Sequence, residues 1–171
     1  REFGAKSVLI YANERNQAAT AFLEKHGLLA VGGSGAMKAA AGIEPPAVEF
    51  STGFTLKLFS EVNDRAILAS ALNECYLGML GHQHNEKPSA DNPNVARFLE
   101  YYGAKNILLL FDDEDSICGI CSVKPENLKD ENGAPIDYLD APGVIQKYRR
   151  EGVQRQLVSA GIQLLRERAK H

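Results

Sequence analysis

Apolar residues recur along the chain at two spacings, and the spacing separates predicted strands from predicted helices. Short or alternating apolar runs indicate strands, whereas apolar residues three and four apart, such as Val153 and Leu157, indicate one helix face. Asn16 and Asn63 stand where the first two helices begin, and Asn is a preferred N-cap residue. The patterns predict strands over 6–11, 28–31, 54–59, 106–111, 117–123 and 136–145, and helices over 16–26, 63–80, 95–102 and 152–170.

Glycine and proline mark the predicted connections. The Gly-rich residues 32–35 are expected to form a hairpin turn and not a phosphate loop, because no helix pattern follows them directly. Residues 39–53, which contain Pro45 and Pro46, are typical of a linker, and residues 125–134 are predicted to be a loop. Pro142 and Gly143 interrupt the strand predicted over residues 136–145, which suggests a β-bulge there.

Composition and charge exclude several classes of protein. The 171 residues suit one domain, and 44% hydrophobic and 24% charged residues are ordinary for a globular chain. A net charge of −3 provides no basic field for nucleic acid, and no apolar run is long enough to span a membrane. Because the chain begins at Arg1, we expect a processed product, an expression product or an excerpt of a longer chain.

The cysteine and histidine residues do not predict a metal site. Three cysteines are too few for a disulfide framework and favour the reducing cytoplasm. Cys118 and Cys121 form a C-x-x-C pair within a predicted strand, where residues three apart are expected to face opposite sides, so both are interpreted as core residues. His82 and His84 are interpreted as part of an exposed polar loop.

Residues 144–157 carry the strongest functional signal. A strand ends, a basic loop containing Gly152 follows, and a long helix begins, so backbone N–H groups and a positive helix end are available to an anion such as pyrophosphate. Arg149, Arg150 and Arg155 are predicted to add mobile positive charge around it. The alternative is a solvated basic turn at the start of a surface helix.

The same segment resembles motif A of the GNAT superfamily of N-acetyltransferases, whose pattern is Tyr-Arg-x-x-Gly-x-Gly/Ala. Tyr148, Arg149 and Gly152 match it, while Gln154 replaces the small residue. The resemblance implies an α/β (α+β) fold with a mixed, mostly antiparallel central sheet flanked by helices, and acetyl-CoA as co-substrate. The resemblance implies that the cofactor-binding residues are Val144, Ile145, Gln146, Arg149, Arg150, Glu151, Gly152, Val153, Gln154 and Arg155, together with Asn16 near the start of the chain.

A second resemblance lies near the start of the chain. Residues 16–28 are similar to motif B of the same superfamily, Asn-x-x-Ala-x-x-x-Tyr-Glu-Lys-x-Gly-Phe, and the matching residues are Asn16, Ala19, Glu24, Lys25 and Gly27. Leu23 occupies the place of the tyrosine that often protonates the leaving thiolate in that family. Without motif A, the segment would be interpreted as an ordinary amphipathic helix ended by glycine.

The two motifs occur in rotated order, because motif A precedes motif B in the family. The order predicts a C-terminal half of the fold over 1–38, a linker over 39–53, and an N-terminal half with motif A over 54–171, together one domain. Three explanations remain open. The domain is circularly permuted, or the chain is an excerpt of a tandem protein, or two chains exchange halves as a homodimer.

Acetyl transfer from a thioester to an amine requires a polarised carbonyl and a proton acceptor. The backbone N–H near Val144 is the candidate donor to the carbonyl oxygen. Asp140 and Asp137 precede the predicted bulge and are the candidate bases, either directly or through water. Tyr11 and Tyr138 are alternatives for the missing acid, although nothing in the sequence singles out either.

Three functions are compared on this basis. The first is an acetyl-CoA-dependent N-acetyltransferase that acts on a primary amine of a small molecule or a protein by direct attack. The second is a non-catalytic CoA-binding or regulatory module, which the substitution at Leu23 favours. The third, a purely structural pairing domain, is disfavoured by Arg149 and Gly152. No nucleic-acid or membrane partner is expected.

Overall fold

The computed structural model describes residues 10, 12, 16–30, 44–79, 82, 84, 85, 87–130 and 132–168. The chain divides into two compact units, residues 1–39 and residues 40–171. Within the described residues, no helix has the length and apolar character needed to cross a membrane.

The first unit contains helix α1 (Gln17–Lys25), as the sequence predicts. The Asn16 side chain accepts a hydrogen bond from the backbone N–H of Ala19 at 3.1 Å, and Gly27 follows the helix with a φ of +82°. The strand predicted over residues 28–31 is wrong for 28–30, which pair with no strand among the described residues. The predicted turn over residues 32–35, and the predicted strand over residues 6–11 apart from Ile10, lie outside the described residues.

The second unit is a five-stranded sheet flanked by helices. Its elements are β1 (Thr55–Leu58), α2 (Phe59–Val62), α3 (Arg65–Glu74), α4 (Pro93–Tyr102), β2 (Ile107–Phe111), β3 (Ile117–Lys129), β4 (Pro135–Leu139), β5 (Gly143–Val144) and α5 (Val153–Arg168). The strands run in the order β1-β2-β3-β4, and β5 also pairs with β3. Every pairing is antiparallel.

Helices cover both faces of the sheet, so two apolar clusters form. Helices α3 and α4 pack on one face, where Leu68 of α3 is buried with Ile107 and Leu109 of β2. Helix α5 packs on the other face through Leu157 and Leu164. All five residues of β2 are buried, which is why this strand is a continuous apolar run in the sequence. Complete burial of a side chain such as Leu157 contributes roughly 1.5–3 kcal/mol to stability.

Helix α3 begins and ends differently from the prediction. Its N-cap is Asp64, whose carboxylate accepts the N–H of Ala66 at 2.7 Å, while Asn63 adopts a left-handed conformation at the end of α2. The helix ends at Glu74 and not near residue 80, because the chain turns there. Either of two adjacent side chains, Asn63 or Asp64, suits an N-cap, so the sequence does not fix the start of the helix to one residue.

Strand β3 is longer than predicted. It continues through Pro125 to Lys129, so the loop predicted over residues 125–134 is wrong in its first half. The pairing of β3 with β4 is irregular between Lys124 and Leu128. Pro125 lies in that irregularity, where a missing backbone N–H is tolerated.

The prediction that Cys118 and Cys121 face opposite sides is also wrong. Phe111 pairs with Ile117, whereas Leu110 pairs with Gly119, so β3 has one extra residue at Cys118. This bulge changes the alternation, and both cysteines are buried in the cluster beneath α5. Their interpretation as core residues is confirmed, because both are fully buried.

The second half of the predicted linker packs against the sheet and α5. Residues 44–53 contain no helix or strand, but Val48 and Phe50 pack on the apolar cluster beneath α5. The backbone N–H of Glu49 donates to the side-chain oxygen of Gln156 at 3.0 Å. The assignment of residues 1–38 and 54–171 to two halves of one fold stays a prediction.

Candidate functional site

The predicted bulge lies between β4 and β5 and extends from Asp140 to Pro142. Val123 pairs with Leu139, and Ile120 pairs with Gly143. Two residues of β3 therefore face three residues of the opposite strand, which is a one-residue bulge.

The bulge sets the direction of the Val144 backbone. The N–H of Ile145 donates to the carbonyl of Cys118 at 3.0 Å, so Ile145 points its N–H toward β3. Because N–H direction alternates along a strand, the N–H of Val144 points away from β3. No described strand pairs with β5 on that side. Val144 therefore presents an N–H donor at an open edge of the sheet.

Close packing holds the start of β5 in place. A Cβ on Gly143 would lie 2.9 Å from the Cβ of Cys75 and 3.1 Å from the ring of Tyr76. The Tyr76 hydroxyl donates to the carbonyl of Ala141 at 3.1 Å. Glycine is required at position 143 because the end of α3 approaches the strand so closely.

The loop between β5 and α5 presents a row of backbone N–H groups. Arg150 and Gly152 have left-handed backbone conformations, with φ of +72° and +81°. Among the described residues, none of the five N–H groups of residues 151–155 donates to a backbone carbonyl with good hydrogen-bond geometry. Successive free amides at a helix N-terminus form a concave site for an anion.

Arg149 is not the mobile charge that the sequence predicts. Its guanidinium donates to the carbonyls of Val144 at 2.8 Å, Leu77 at 2.6 Å and Cys75 at 3.3 Å. These bonds join the end of β5 to the turn after α3. The geometry favours a positioning role for Arg149, and its contact with a cofactor stays a prediction.

Most of the other predicted side chains around this loop are exposed. Arg150, Glu151 and Arg155 lie at the surface, whereas Val153 lies on the buried side of α5. The Gln154 side chain donates to the carbonyl of Pro142 at 3.3 Å, so the residue that departs from motif A connects α5 to the bulge. A cleft of about 90 Å³, lined by residues that include Glu49, Ser51 and Arg155, lies beside the loop.

Asp112 is a residue of this region that the sequence interpretation missed. It is 6% exposed and accepts hydrogen bonds from the Tyr148 hydroxyl at 3.0 Å and from Lys147 at 3.3 Å. Hydrogen bonding, above all from the N–H of Ser116, lowers the pKa of Asp112. The sequence indicates only an acidic turn after β2, and no local pattern shows that Asp112 holds the segment leading to the amide row.

The two candidate bases lie in different surroundings, Asp137 within β4 and Asp140 in the bulge that follows it. Asp140 accepts hydrogen bonds from Tyr102 at 2.8 Å and from Tyr138 at 3.2 Å, on the side of α3 and α4. Asp137 is exposed, and its carboxylate accepts the N–H of Glu126 at 3.0 Å. Within β4, Asp137 is next to Tyr138 and therefore points to the opposite face, whereas Asp140 follows the strand and contacts Tyr138. The structure therefore does not bring the two carboxylates together.

Tyrosines surround Asp140 in their neutral form. Burial, followed by the interaction with Asp140, raises the pKa of Tyr102 and of Tyr138. Both phenols therefore remain hydrogen-bond donors to the carboxylate at neutral pH. Tyr138 is one of the two tyrosines that the sequence offers as an acid, whereas Tyr102, which is 38 residues from Asp140, gives no signal in the sequence.

The remaining sequence predictions concern Asn16, Ile145, Gln146 and metal binding. Asn16 caps α1 in the first unit, and its role with a cofactor stays a prediction. Ile145 is bonded to β3, and Gln146 begins a short 3₁₀ turn.

Within the described part of the chain, no group of three metal-ligating side chains lies close together. Burial raises the pKa of all three cysteine thiols to about 12, so they stay protonated at neutral pH.

No protein-family model and no curated protein matches the amino-acid sequence. Among solved structures, a GCN5-related N-acetyltransferase from Sphaerobacter thermophilus matches 71% of this chain and 35% of that protein, with a TM-score of 0.50 and 16% identity. A putative acetyltransferase from Salmonella typhimurium, solved with acetyl-CoA, matches 68% of this chain and 65% of that protein, with a TM-score of 0.47 and 17% identity. An Escherichia coli GNAT-family N-acetyltransferase, solved in complex with CoA, matches 71% of this chain and 61% of that protein, with a TM-score of 0.45 and 20% identity.

The likeness to the Sphaerobacter protein shows the fold. This chain spans about a third of that protein's length. The second unit has the antiparallel sheet flanked by helices of the GNAT acetyltransferases, and the predicted fold class is confirmed.

Proposed function

We propose that this protein is an acetyl-CoA-dependent N-acetyltransferase that transfers an acetyl group to a primary amine by direct attack. One observation carries the proposal. The bulge turns the N–H of Val144 to an open strand edge, and the row of free amides at residues 151–155 follows within a few residues. A thioester with a pyrophosphate at its far end needs this pair of features, a donor for its carbonyl and a cradle for its phosphates.

Val144 acts on the thioester in this proposal. Its outward N–H donates to the carbonyl oxygen and stabilises the negative charge that develops there during attack. The amine nitrogen forms a bond to the carbonyl carbon, the carbon–sulfur bond breaks, and CoA leaves as a thiolate that takes up a proton. The product is the N-acetylated amine.

Asp140 is the proposed proton acceptor for the amine, directly or through water. Its carboxylate is half-buried beside the bulge, and Tyr102 and Tyr138 hold it in one orientation. Asp137, the other candidate from the sequence, lies on the face of β4 opposite to Tyr138 and is left out of the proposed site. Positioned bases typically contribute about 10²–10⁴-fold to the rate.

The alternative function is a non-catalytic CoA-binding module. Two observations favour it: Leu23 occupies the tyrosine position of the motif B resemblance, and the Gln154 side chain reaches across to Pro142. Binding of acetyl-CoA without release of CoA in the presence of amines would support this alternative.

Thermal unfolding with and without acetyl-CoA tests both functions. At a hundredfold excess over its dissociation constant, acetyl-CoA should stabilise the protein by about 2.7 kcal/mol. Arg155→Glu places a negative charge beside the amide row and should reduce the shift. Arg97→Glu, at an exposed position on α4, is the matched control and should not. No shift with millimolar acetyl-CoA would refute both functions. Release of the CoA thiol, measured with a disulfide reagent, then distinguishes the enzyme from the binding module.

We further propose that residues 1–38 and residues 54–171 are the two halves of one fold, as the rotated order of the motifs implies. Circular permutation, a tandem parent protein and exchange of halves between two copies remain the three explanations of that order. A strictly monomeric solution mass together with acetyl-CoA binding would exclude the exchanged dimer.

Free cysteines at all three positions support a cytoplasmic location as part of the proposal.

A further inference from the structure

A second cleft, of about 460 Å³, is lined by residues of α3 and α4 and by described residues between them, among them His82 and Asn85. Tyr76 lines this cleft, and its hydroxyl reaches the carbonyl of Ala141 in the bulge. The cleft therefore approaches the proposed reaction site from the side of Asp140 and its tyrosines.

Two residues that line this cleft, His82 and Asn85, are both bonded to Asn73 of α3. Asn73 is 4% exposed, accepts the backbone N–H of Asn85 at 2.7 Å, and donates to the carbonyl of Asn85 at 2.9 Å. The backbone carbonyl of Asn73 accepts from Nε2 of His82 at 2.7 Å. These bonds fix the His82 ring at the wall of the cleft.

The partner of Nε2 determines the tautomer of neutral His82. A carbonyl oxygen only accepts hydrogen bonds, so Nε2 carries the hydrogen and Nδ1 has a free lone pair. Nδ1 has no hydrogen-bond partner among the described residues. The ring also lies near Tyr76, with 6.5 Å between the ring centroids.

The chemistry of the cleft indicates what kind of amine it accepts. Leu72, Val95 and Phe98 form an apolar wall, and the polar groups include Asn85 and Asn94. None of the described residues that line the cleft is Asp, Glu, Lys or Arg. An acceptor with several positive charges would find no counter-ion on this lining, whereas an amine on a short apolar or aromatic body would find matching surface.

We propose that this cleft binds a small arylalkyl or alkyl primary amine, and that Nδ1 of His82 accepts a hydrogen bond from its nitrogen. The inference rests on the proposed acetyltransferase function and names the acceptor class of that site. The net charge of −3 would by itself suit a cationic acceptor, but the substrate contacts the lining of the cleft and not the average composition of the chain.

The test compares two neighbouring histidines with phenethylamine as the acceptor and saturating acetyl-CoA. His82→Ala should raise the KM for phenethylamine about tenfold, the size of one lost hydrogen bond. His82→Gln should recover much of this loss, since a carboxamide can donate to Asn73 and still accept from the amine. His84→Ala is the control, because His84 pairs with Glu74 at 3.1 Å and does not line the cleft.

Two further measurements separate this inference from the proposed function. The thermal shift with acetyl-CoA should be the same in all three variants and the wild type, and its absence in the wild type would refute the proposed function itself. If the shift is present, equal KM values for His82→Ala and His84→Ala overturn the role of His82. Equal or better turnover of spermidine, or turnover of other primary amines but not of phenethylamine, overturns the acceptor class. No turnover of any amine refutes the proposed function instead.

Discussion

Two one-residue bulges flank the first half of β3, one in β3 itself opposite β2 and one in the segment between β4 and β5, and they have different consequences. The bulge opposite β2 lies in the interior of the sheet, where helices cover both faces. It turns Cys118 into the core, where the thiol donates to the carbonyl of Leu110 at 3.2 Å. The bulge toward β4 and β5 lies at an edge that no described strand covers, and it turns the N–H of Val144 outward. The same local irregularity therefore provides packing in the interior and a binding donor at an open edge.

The largest expected effect tests the outward N–H directly. Val144→Pro removes this donor without removing a hydrogen bond between β5 and β3, and we expect kcat to fall about 100- to 1,000-fold, as for other oxyanion donors. Val144→Ala is the matched control, since it shortens the side chain and keeps the N–H. Steady-state rates with acetyl-CoA, alongside melting curves for both variants, provide the measurement. Equal kcat values in the two variants would contradict this role.

The next effect compares Asp140 in the bulge with Asp137 on β4. Asp140→Asn should lower kcat about 100-fold, because the amide cannot take up the proton of the amine. Asp137→Asn should change kcat less than about twofold, since its exposed carboxylate caps only the N–H of Glu126. Measurements of kcat for both variants at saturating substrates test which aspartate is the base. Equal losses of kcat would show that the assignment of Asp140 as the base is wrong.

A stability measurement compares the glycines of the two bulges. Gly143→Ala places a Cβ 2.9 Å from the Cβ of Cys75 and should lower the free energy of unfolding by about 1–3 kcal/mol. Gly119→Ala meets the Cδ1 of Leu157 at the same distance, but that atom is the end of a flexible side chain, so we expect a loss under about 1 kcal/mol. Urea unfolding measures the free energy of unfolding of both variants. A larger loss of stability for Gly119→Ala than for Gly143→Ala would contradict this prediction.

An effect that is absent at neutral pH appears at alkaline pH and arises from the interior bulge. Burial raises the pKa of Cys118 to about 12 from 9.0. Below pH 9 the thiol is protonated in both states, and above it the unfolded chain loses the proton first, so stability falls as pH rises from 9 to 12. One thiol accounts for at most about 1.4 kcal/mol per pH unit.

Cys118→Ala should therefore show a shallower loss of stability than the wild type between about pH 9 and pH 11. Val144→Ala, which leaves the thiols in place, should retain the wild-type slope. Unfolding curves at several pH values measure the difference, and identical slopes for Cys118→Ala and wild type would contradict the burial of the thiol.

Patterns confined to a few neighbouring residues are predictable from the sequence. Asn16 and Gly27 bound α1 as expected, because caps and glycine stops act within one helical turn. The bulge near Pro142 is also expected, since proline restricts the backbone locally. The start of α3 differs from the prediction by one residue because Asn63 and Asp64 both suit an N-cap.

Contacts between distant residues are not predictable in this way. The order of elements, the apolar β2 and the strand–loop–helix segment at residues 144–157 follow from the sequence alone. The folded chain was needed to show that Asp140 and not Asp137 meets Tyr102, that Arg149 binds three carbonyls, and that His82 is fixed by Asn73. The physical reason is that backbone conformation depends on near neighbours, whereas the partner of a side chain depends on which faces of the sheet the helices cover and where a bulge shifts the alternation.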